Sequence, residues 1–370
     1  MTEAKKVFDK ELTPEGIFLS YESPTRRRAA AEGIPYHLDI ELLDRCTGGC
    51  LYCFQGSTPQ GTRLIPRERL FKLLDEATSL GTRQVLWQGG EPLYYPWLFE
   101  ASDYAAEKGV RCAFFTSGIP LTPKMCRQIV RQPNLQQVSI NINTVSPENF
   151  ARQHNSPKVL QAKVHGYRNL LEAGFPPGRI FPSVCLTRVS AETVAETIDW
   201  FVEEMKAPFV FLFPFVPWGF GRDHPEWEPS LEQVRRAYEY RARKTSPLWN
   251  QIGSIDCPTT HCRIKCYIFS DGTVLPCNFC TNMVAGNIYE ESFVDIHERH
   301  RDMLHFKTLH VKGKCGNCEY NDHCFGCRGK AWNYLGDVEA SDPKCWRNPE
   351  APQHVWEMKR GVVTPDLPGR

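Results

Sequence analysis

The stretch YHLDIELLDRCTGGCLYC, residues 36–53, joins a short β-rich run to three closely spaced cysteines. These are Cys46, Cys50 and Cys53, in CxxxCxxC spacing. Two glycines between the first two cysteines let the backbone wrap tightly. Three thiolates are one short of the four ligands of a structural zinc site, and no histidine stands nearby in sequence to complete one. An iron–sulfur cluster held by only three cysteines keeps one iron open for an outside ligand.

Short β-rich runs alternate with helical patterns over the first two-thirds of the chain. The predicted strands are 37–42, 83–88, 110–115, 136–142, 180–186 and 208–214. The predicted helices among them include 67–80, 122–132, 158–173 and 191–205. This alternation favours an α/β fold of parallel βαβ units, with the chemistry at the carboxyl ends of the strands. Six strands are two units short of an eightfold barrel, and composition leaves open whether the sheet closes.

Composition and charge narrow the classes of function. The 370 residues carry 44 basic and 43 acidic side chains, so the net charge of +1 gives no reason to expect nucleic acid or an acidic membrane as partner. No apolar run approaches the roughly 18 residues of a membrane helix, and the N-terminus lacks the apolar core of a signal peptide. We therefore expect a cytoplasmic protein whose clustered thiols bind metal rather than form disulfides.

Ten of the 16 cysteines lie between residues 257 and 345. They are Cys257, Cys262, Cys266, Cys277, Cys280, Cys315, Cys318, Cys324, Cys327 and Cys345. This segment has few apolar runs, so we expect metal crosslinks to contribute to its folding. Because CxxC pairs also occur in zinc ribbons, the spacing alone leaves zinc and iron–sulfur sites both open. The scattered cysteines Cys112, Cys126 and Cys185 are expected to be packing residues.

The CxxxCxxC loop at the end of the first strand resembles the signature of the radical S-adenosylmethionine (SAM) superfamily. Gly89-Gly90-Glu91-Pro92, after the second strand, resembles the GGEP segment with which that family binds the amino group of the methionine moiety. Tyr52 matches an aromatic residue common before the third cysteine of the family. Since these marks occur in the family's order, the resemblance implies that Cys46, Cys50 and Cys53 hold the cluster that binds SAM.

Further segments resemble the parts of the family's site that contact the sugar and the carboxylate of SAM. Ser117, within Thr116-Ser117-Gly118, matches the ribose-side segment after the third strand. Ser139 and Asn141 lie where relatives carry SLDG, with Asn141 in place of the acid. Arg152 stands near the position of an arginine that holds the carboxylate in relatives, but no glycine follows it. A surface arginine is the equal alternative for Arg152.

The second cysteine field closely resembles the SPASM domain, a C-terminal extension of many radical SAM maturases. The matching pattern is Cys262-x9-Gly272-x4-Cys277, then Cys315-x2-Cys318-x5-Cys324-x2-Cys327-x17-Cys345, with two residues after Cys324 where the family usually has three. The resemblance implies one auxiliary [4Fe-4S] cluster on Cys257, Cys262, Cys277 and Cys327. It implies a second on Cys315, Cys318, Cys324 and Cys345. Cys266 and Cys280 are left over, as substitutes for Cys257 or as free thiols.

The resemblance thus implies a partial (β/α)6 TIM-like barrel followed by a small Cys-rich iron–sulfur domain. We predict a loosely structured lead-in at residues 1–36, which show no clear periodicity, followed by the barrel at 37–220. A linker at 221–255, with one helix at 231–244, leads to the SPASM domain at 256–346 and an extended tail at 347–370. The implied cofactors are three [4Fe-4S] clusters and SAM. In the family, the reduced cluster cleaves SAM to a 5′-deoxyadenosyl radical, which abstracts a hydrogen atom from an inert C–H bond, while the protein orients the reactants and excludes water.

Three functions remain open at this point. The first is an oxidation or a C–X or C–C bond formation on a peptide or small metabolite. The second is a redox-neutral epimerisation or hydrogen transfer, in which Cys266 or Cys280 returns a hydrogen atom. The third is a non-catalytic metal-binding or electron-transfer protein. The expected partners are the substrate, an electron donor such as flavodoxin or ferredoxin, and a separate peptide-recognition protein where the substrate is a recruited peptide.

Two features bear on the substrate. Sulfatase maturases carry an aspartate directly after the cysteine that matches Cys277 and use it as a base. Asn278 stands there in this chain and cannot take up a proton at neutral pH, which disfavours sulfatase maturation. Many peptide-modifying relatives begin with a leader-binding domain, and the 36 residues ahead of the first strand are too few for one.

Overall fold

A computed structural model describes residues 13–355 of the chain. Its strands are β1 (His37–Glu41), β2 (Gln84–Gln88), β3 (Arg111–Thr116), β4 (Leu135–Ile140), β5 (Ser183–Leu186), β6 (Phe211–Pro214), β7 (Lys265–Ile268), β8 (Thr273–Leu275) and β9 (Gly286–Asn287). Its helices are α1 (Pro14–Tyr21), α2 (Pro24–Glu32), α3 (Arg67–Ser79), α4 (Leu98–Glu107), α5 (Pro123–Val130), α6 (Pro147–Ala151), α7 (Lys158–Glu172), α8 (Val194–Asp199), α9 (Leu231–Lys244), α10 (Thr259–Cys262), α11 (Phe293–Leu304), α12 (Gly313–Gly316) and α13 (Arg328–Leu335).

The first six strands run parallel and follow one another in chain order. β1 pairs with β2, β2 with β3 and β3 with β4, while β5 pairs with β6. Isolated parallel bridges, Val138 to Ile180 and Asn141 to Ser183, connect β4 to the segment of β5. Short parallel strands separated by helices are the (β/α) arrangement predicted from the sequence, and the α/β fold class is confirmed.

Alternation along the strands separates a helix-facing side from a lumen-facing side. In β2 the buried residues Val85 and Trp87 alternate with the partly exposed Leu86 and Gln88. Trp87 lies on the helix side, where its Nε1 donates to Ser102 Oγ of α4 at 3.1 Å. Polar residues on the other side of the strands are therefore available to line the barrel interior.

The cysteine-rich segment extends the same sheet rather than forming a separate one. β7 pairs parallel with β1 on the edge opposite β2, and β8 and β9 continue it as an antiparallel meander. The resulting seven-stranded order is β4-β3-β2-β1-β7-β8-β9. Because β1 is central, it places the first cysteine loop between the barrel and the second cysteine field.

Several elements differ from the sequence-based expectation. The predicted loosely structured lead-in instead contains α1 and α2, and Phe18 packs edge-on against Trp249 with ring centroids 5.4 Å apart. α4 was not predicted, and the predicted helix 191–205 is α8 followed by a π-helical turn, Trp200–Glu204. The tail packs back at Gln353, whose carbonyl accepts from Leu231 N–H at 3.1 Å. The parts of the lead-in and tail predictions that fall on 1–12 and 356–370 lie outside the described residues.

None of the helices within residues 13–355 has the length and apolar character needed to cross a membrane.

Candidate active site and iron–sulfur centres

The first cysteine loop leaves the carboxyl end of β1 and is held by backbone hydrogen bonds. Leu51 N–H donates to Gln153 O at 3.3 Å, and Asn155 N–H donates to Gly49 O at 3.2 Å. Gly49 has φ +67°, a left-handed conformation that L side chains rarely adopt. The segment after α6 thus fixes the course of the loop between its first two cysteines.

The three thiols of this loop lie within electrostatic range of one another. Burial raises the pKa of Cys46 to about 12, with smaller contributions from Glu91, Cys50 and Cys53. Burial likewise raises the pKa of Cys53, and Cys50 adds to that rise. Thiols brought together in a buried loop become thiolates readily only when a metal compensates their charge. Three such thiols fit a cluster that keeps one iron free for an outside ligand.

The GGEP segment lies directly against the strand-to-loop connection that leads to these cysteines. Gly90 N–H donates to Leu43 O at 2.7 Å, and Glu91 N–H donates to Arg45 O at 2.9 Å. A Cβ on Gly90 would stand 2.3 Å from the Arg45 carbonyl oxygen, and one on Gly89 would stand 2.6 Å from the Leu43 carbonyl oxygen. Both glycines are therefore required for close backbone approach at the top of the barrel.

Glu91 joins the GGEP segment to the loop that follows β3. Its side chain is buried and accepts hydrogen bonds from Thr116 Oγ1 at 2.8 Å, Ser117 N–H at 2.8 Å and Ser117 Oγ at 2.6 Å. Burial raises the pKa of Glu91, although the hydrogen bonds from Ser117 and Thr116 oppose that rise. Two segments that the sequence predicts to contact SAM are thus brought together by one carboxylate.

Polar residues at the end of β4 form a second network, which includes Tyr52 of the cysteine loop. Tyr52 O–H donates to Asn141 Oδ1 at 3.3 Å, and Asn141 Nδ2 donates to Asn143 Oδ1 at 2.9 Å. Ser139 is fully buried two residues earlier on the same strand. Lys163 Nζ donates to the Asn141 backbone carbonyl at 2.8 Å. Tyr52 and Lys163, a lysine not predicted from the sequence, therefore both bond to Asn141, while Ser139 lies two residues before it on the same strand.

Arg152 lies apart from this network. Its Nη1 is 2.7 Å from Glu192 Oε2, and the arginine side chain is 46% exposed. Lys163, on α7, has no exposed surface, and among residues 13–355 no carboxylate lies within 4 Å of its Nζ. Its Nζ donates to the Asn141 backbone carbonyl at 2.8 Å and to Asn141 Oδ1 at 3.3 Å, so Lys163 rather than Arg152 is the cation of this network.

The thiols assigned to one auxiliary cluster line a single cavity. The cavity has an empty volume of about 370 Å³, which includes its mouth. Its lining includes Cys315, Cys318, Cys324 and Cys345. Four thiols around one cavity fit the complete ligation of a cubane cluster.

The other assigned set also converges. The Cys262 thiol lies within electrostatic range of Cys257, Cys277 and Cys327. Burial is the largest cause that raises the pKa of Cys262, and the three neighbouring thiols add smaller contributions. A side-chain interaction with Cys280 lowers the pKa of Cys277 in this buried group of thiols. Cys280 is fully buried beside this set, so the structure places five thiols here for a cubane that takes four.

Cys266 lies elsewhere. It is fully buried on β7 and belongs to the main hydrophobic core, and burial raises its pKa strongly. Its electrostatic neighbours are Asp39 and Lys265, with no other thiol among them. A thiol packed in the core has no route to a substrate radical, so we do not carry forward the hydrogen-donor hypothesis for Cys266.

Cys185, expected to be a packing residue, lies beside the first cysteine loop instead. Burial raises the pKa of its thiol, with further contributions from Cys50 and Cys53, and it packs with Tyr52. Its backbone N–H donates to Asn143 Oδ1 at 2.9 Å. Cys112 and Cys126 are buried in the main core, as expected. Cys185 lies on the lumen-facing side of β5, and this position follows from the strand pairing rather than from the local sequence.

The two cysteine fields touch through aromatic side chains. The rings of Phe54, which follows Cys53, and Phe279 have centroids 4.8 Å apart. Phe279 packs against Gly329, where an added Cβ would stand 2.3 Å from the phenylalanine Cβ. Asn278 Oδ1 lies 3.4 Å from Cys277 Sγ, so an amide rather than a carboxylate stands beside that thiol.

Comparison with known proteins identifies two domains in the chain. The family model of the Radical SAM superfamily matches residues 40–201, and that of the SPASM iron–sulfur cluster-binding domain matches residues 257–328. The AdoMet-dependent heme synthase of Methanosarcina barkeri is 26% identical over 355 residues, covering 86% of this chain and 99% of that protein. The PqqA peptide cyclase of Granulibacter bethesdensis is 25% identical over 354 residues, which cover 90% of this chain and 93% of that protein.

A solved structure shares the fold. The crystal structure of Streptococcus suis SuiB bound to S-adenosylmethionine matches with a TM-score of 0.64 at 18% identity, covering 85% of this chain and 78% of that one. The family-model matches over residues 40–201 and 257–328, rather than this likeness of fold, identify the chain as an enzyme of the radical SAM superfamily. Within it, the chain belongs to the group that carries a C-terminal SPASM iron–sulfur domain, which confirms the family predicted from the cysteine spacing.

Proposed function

We propose that this protein is a three-cluster radical SAM enzyme that abstracts a hydrogen atom from a C–H bond of a peptide or small metabolite and completes an oxidation or a C–X or C–C bond formation. The observation that carries this proposal is the grouping of the cysteines into three places. One is a three-thiol loop at the barrel top, and the other two are in the C-terminal domain, a set of four thiols around one cavity and a set of four with Cys280 beside it. When bound, the clusters and SAM supply the one-electron cleavage that forms the 5′-deoxyadenosyl radical.

The chain's own residues hold and orient these groups. Cys46, Cys50 and Cys53 would ligate the SAM-binding cluster. The Gly89-Gly90-Glu91 backbone would receive the amino group of SAM, and Ser117, Ser139, Asn141 and Tyr52 would contact its sugar side. Lys163 would hold the carboxylate, in place of Arg152, because it is the buried cation of this network and stands without an anion.

The substrate is a peptide or a small metabolite. The relative named PqqA peptide cyclase represents the peptide class, and the relative named heme synthase represents the small-metabolite class. An electron donor such as flavodoxin or ferredoxin, and a peptide-recognition protein in the peptide case, belong to the same proposal. A cell extract separated by size and added to the reduced enzyme would distinguish the two classes. Substrate-dependent 5′-deoxyadenosine that disappears after protease treatment of the extract indicates a peptide, and survival of the signal indicates a small metabolite.

Iron content tests the three-cluster assignment directly. Anaerobically reconstituted protein is expected to bind about twelve iron atoms, and alanine at Cys315, Cys318, Cys324 and Cys345 together is expected to remove about four. Iron and acid-labile sulfide analysis measures both numbers. A colourless C-terminal half filled with zinc contradicts the auxiliary-cluster assignment while leaving the SAM site untouched.

The position of Cys185 supports a second candidate function, the redox-neutral hydrogen transfer. Its buried thiol stays protonated at neutral pH and lies beside the cysteine loop, so it is placed to return a hydrogen atom to a substrate radical. An electron from the donor and a proton would then restore the thiol. In D2O, this candidate predicts one deuterium per product molecule, lost in Cys185→Ala. Deuterium-free product from the native enzyme rules it out, and mass spectrometry of the product measures the label.

A further inference from the structure

A buried ion pair lies between the two auxiliary thiol sets. Lys330 Nζ is 3.0 Å from Asp342 Oδ2, and their side chains are 2% and 1% exposed. The ammonium group also donates to Ser254 Oγ at 2.5 Å and to the Ser254 backbone carbonyl. Ser254 Oγ in turn donates to Asp342 Oδ2 at 3.2 Å. The pair is therefore dry, fully hydrogen-bonded and fixed in position.

Asp342 contacts a cysteine of each set. Its Oδ2 accepts from the Cys327 backbone N–H at 3.0 Å, and its own backbone N–H donates to Cys315 Sγ at 3.3 Å. Lys330 lies three residues after Cys327 in the first turn of α13, and its backbone N–H donates to Cys327 Sγ at 3.4 Å. One ion pair thus touches the first set through Cys327 and the second through Cys315.

The charges of the pair reach both sets. Both charges lie within electrostatic range of Cys327 of the first set and of Cys345 of the second set. In a low-dielectric interior such fixed charges act strongly over these distances.

A second buried lysine provides a contrast. Lys265 Nζ lies 3.2 Å from Asp39 Oδ2, and its thiol neighbours are Cys277, Cys257 and Cys262. All three belong to the first set. The first set therefore lies near two buried lysine–aspartate pairs, of which the Lys330–Asp342 pair also contacts Cys315 of the second set.

We propose that Lys330 and Asp342 act as a shared positioning element that sets the reduction potentials of both auxiliary clusters together, and so the ease with which the domain accepts an electron during the reaction. This inference rests on the proposed three-cluster function. Its physical basis is that the potential of an iron–sulfur cluster depends on nearby charge and on hydrogen bonds to its sulfur ligands. Removing a fixed positive charge makes reduction harder, and removing a fixed negative charge makes it easier.

The test is a redox titration of the reconstituted holoenzyme followed by electron paramagnetic resonance. Lys330→Gln is expected to shift both auxiliary midpoints to more negative values, and Asp342→Asn is expected to shift both to more positive values. The double variant K330Q/D342N restores the native net charge and is expected to return both midpoints towards the native ones. Lys265→Gln is expected to move only the signal of the set that contains Cys257, Cys262 and Cys277.

The control is Lys312→Gln, which removes the same charge from a surface lysine of the same domain, 59% exposed beside Asp337 and Glu339. Solvent screening predicts no shift in this variant. Breaking a buried pair is destabilising, so Asp342→Asn, with its expected shift of both midpoints to more positive values, tests the proposal if K330Q does not fold, and Lys330→Arg, which keeps the charge, is the matched control. Unchanged midpoints in K330Q, or movement of only one cluster, overturn the proposal.

Iron analysis of each variant separates this inference from the function on which it rests. Native protein that lacks two auxiliary cluster signals contradicts the three-cluster function itself. If the native protein shows both auxiliary signals and their midpoint potentials do not shift in K330Q or D342N, only the role of the ion pair is contradicted.

Discussion

Alanine at Cys46, Cys50 and Cys53 together is expected to abolish SAM cleavage and to remove about a third of the bound iron. These thiols form the one cysteine group at the carboxyl end of β1, where the GGEP segment packs against the loop. In the proposed arrangement four cysteines ligate each auxiliary cluster, so neither offers an open iron at which SAM can bind. Formation of 5′-deoxyadenosine after reduction, measured by chromatography, and iron analysis give the two readouts.

The matched control is alanine at Cys126, a fully buried thiol of α5 in the main core. Its loss removes a small side chain, so stability falls modestly, but iron content and SAM cleavage are expected to stay at native values. Cleavage that survives in the triple variant would place the active cluster among the C-terminal cysteines and would contradict the proposed site.

Lys163→Met is expected to weaken SAM binding by about 2–5 kcal/mol, which is more than tenfold in Kd. The lysine is fully buried and its Nζ bonds to Asn141, with no anion within reach in the described structure. Methionine keeps much of the packed volume and removes the charge. Because the native protein without SAM carries the cost of that buried charge, the variant without SAM is expected to be no less stable to urea.

Arg152→Met is the comparison that decides between the two cations. Arg152 forms an exposed ion pair with Glu192, and exposed pairs contribute about 0–1 kcal/mol. Its replacement is expected to leave the Kd of SAM nearly unchanged. If binding falls in the arginine variant and persists in the lysine variant, the carboxylate role returns to Arg152. Calorimetry or equilibrium dialysis on the reconstituted protein measures both constants.

Lys163 shows why part of the site escapes a reading of the sequence. In α7 it occupies a position among buried residues, with Leu160 three before it and Tyr167 four after it. A lysine on an apolar helix face is a usable signal, because a buried charge needs a partner. Its partner, however, is the backbone at the end of β4, 22 residues earlier, and that contact is set by helix-on-sheet packing.

The thiols show the same division. Local spacing predicted the three-cysteine loop, because ligands that lie close in sequence can reach one metal centre through local turns. The two auxiliary sets followed from the resemblance to the SPASM domain, since Cys327 is assigned with Cys277 rather than with its sequence neighbour Cys324. Spacing did not distinguish Cys266, which packs in the core, from Cys280, which hydrogen-bonds to Cys277. Nor did it show Cys185 beside the first loop, since that neighbourhood depends on the order of β1 to β6 around the barrel.

The amino-acid sequence by itself determined the α/β class, because strand periodicity is a local property of the chain. Its cysteine and GGEP motifs carried the resemblance to the radical SAM and SPASM family, since such motifs are contiguous in the chain. Tertiary structure alone decided that β7 joins β1 in one sheet, that Arg152 faces solvent while Lys163 is buried beside Asn141, and that Lys330 and Asp342 lie between the two auxiliary sets. Those outcomes depend on which segments distant in sequence pack together. Packing determines which charges are removed from water and which partners they find, and these two factors set the free energy of a buried charge.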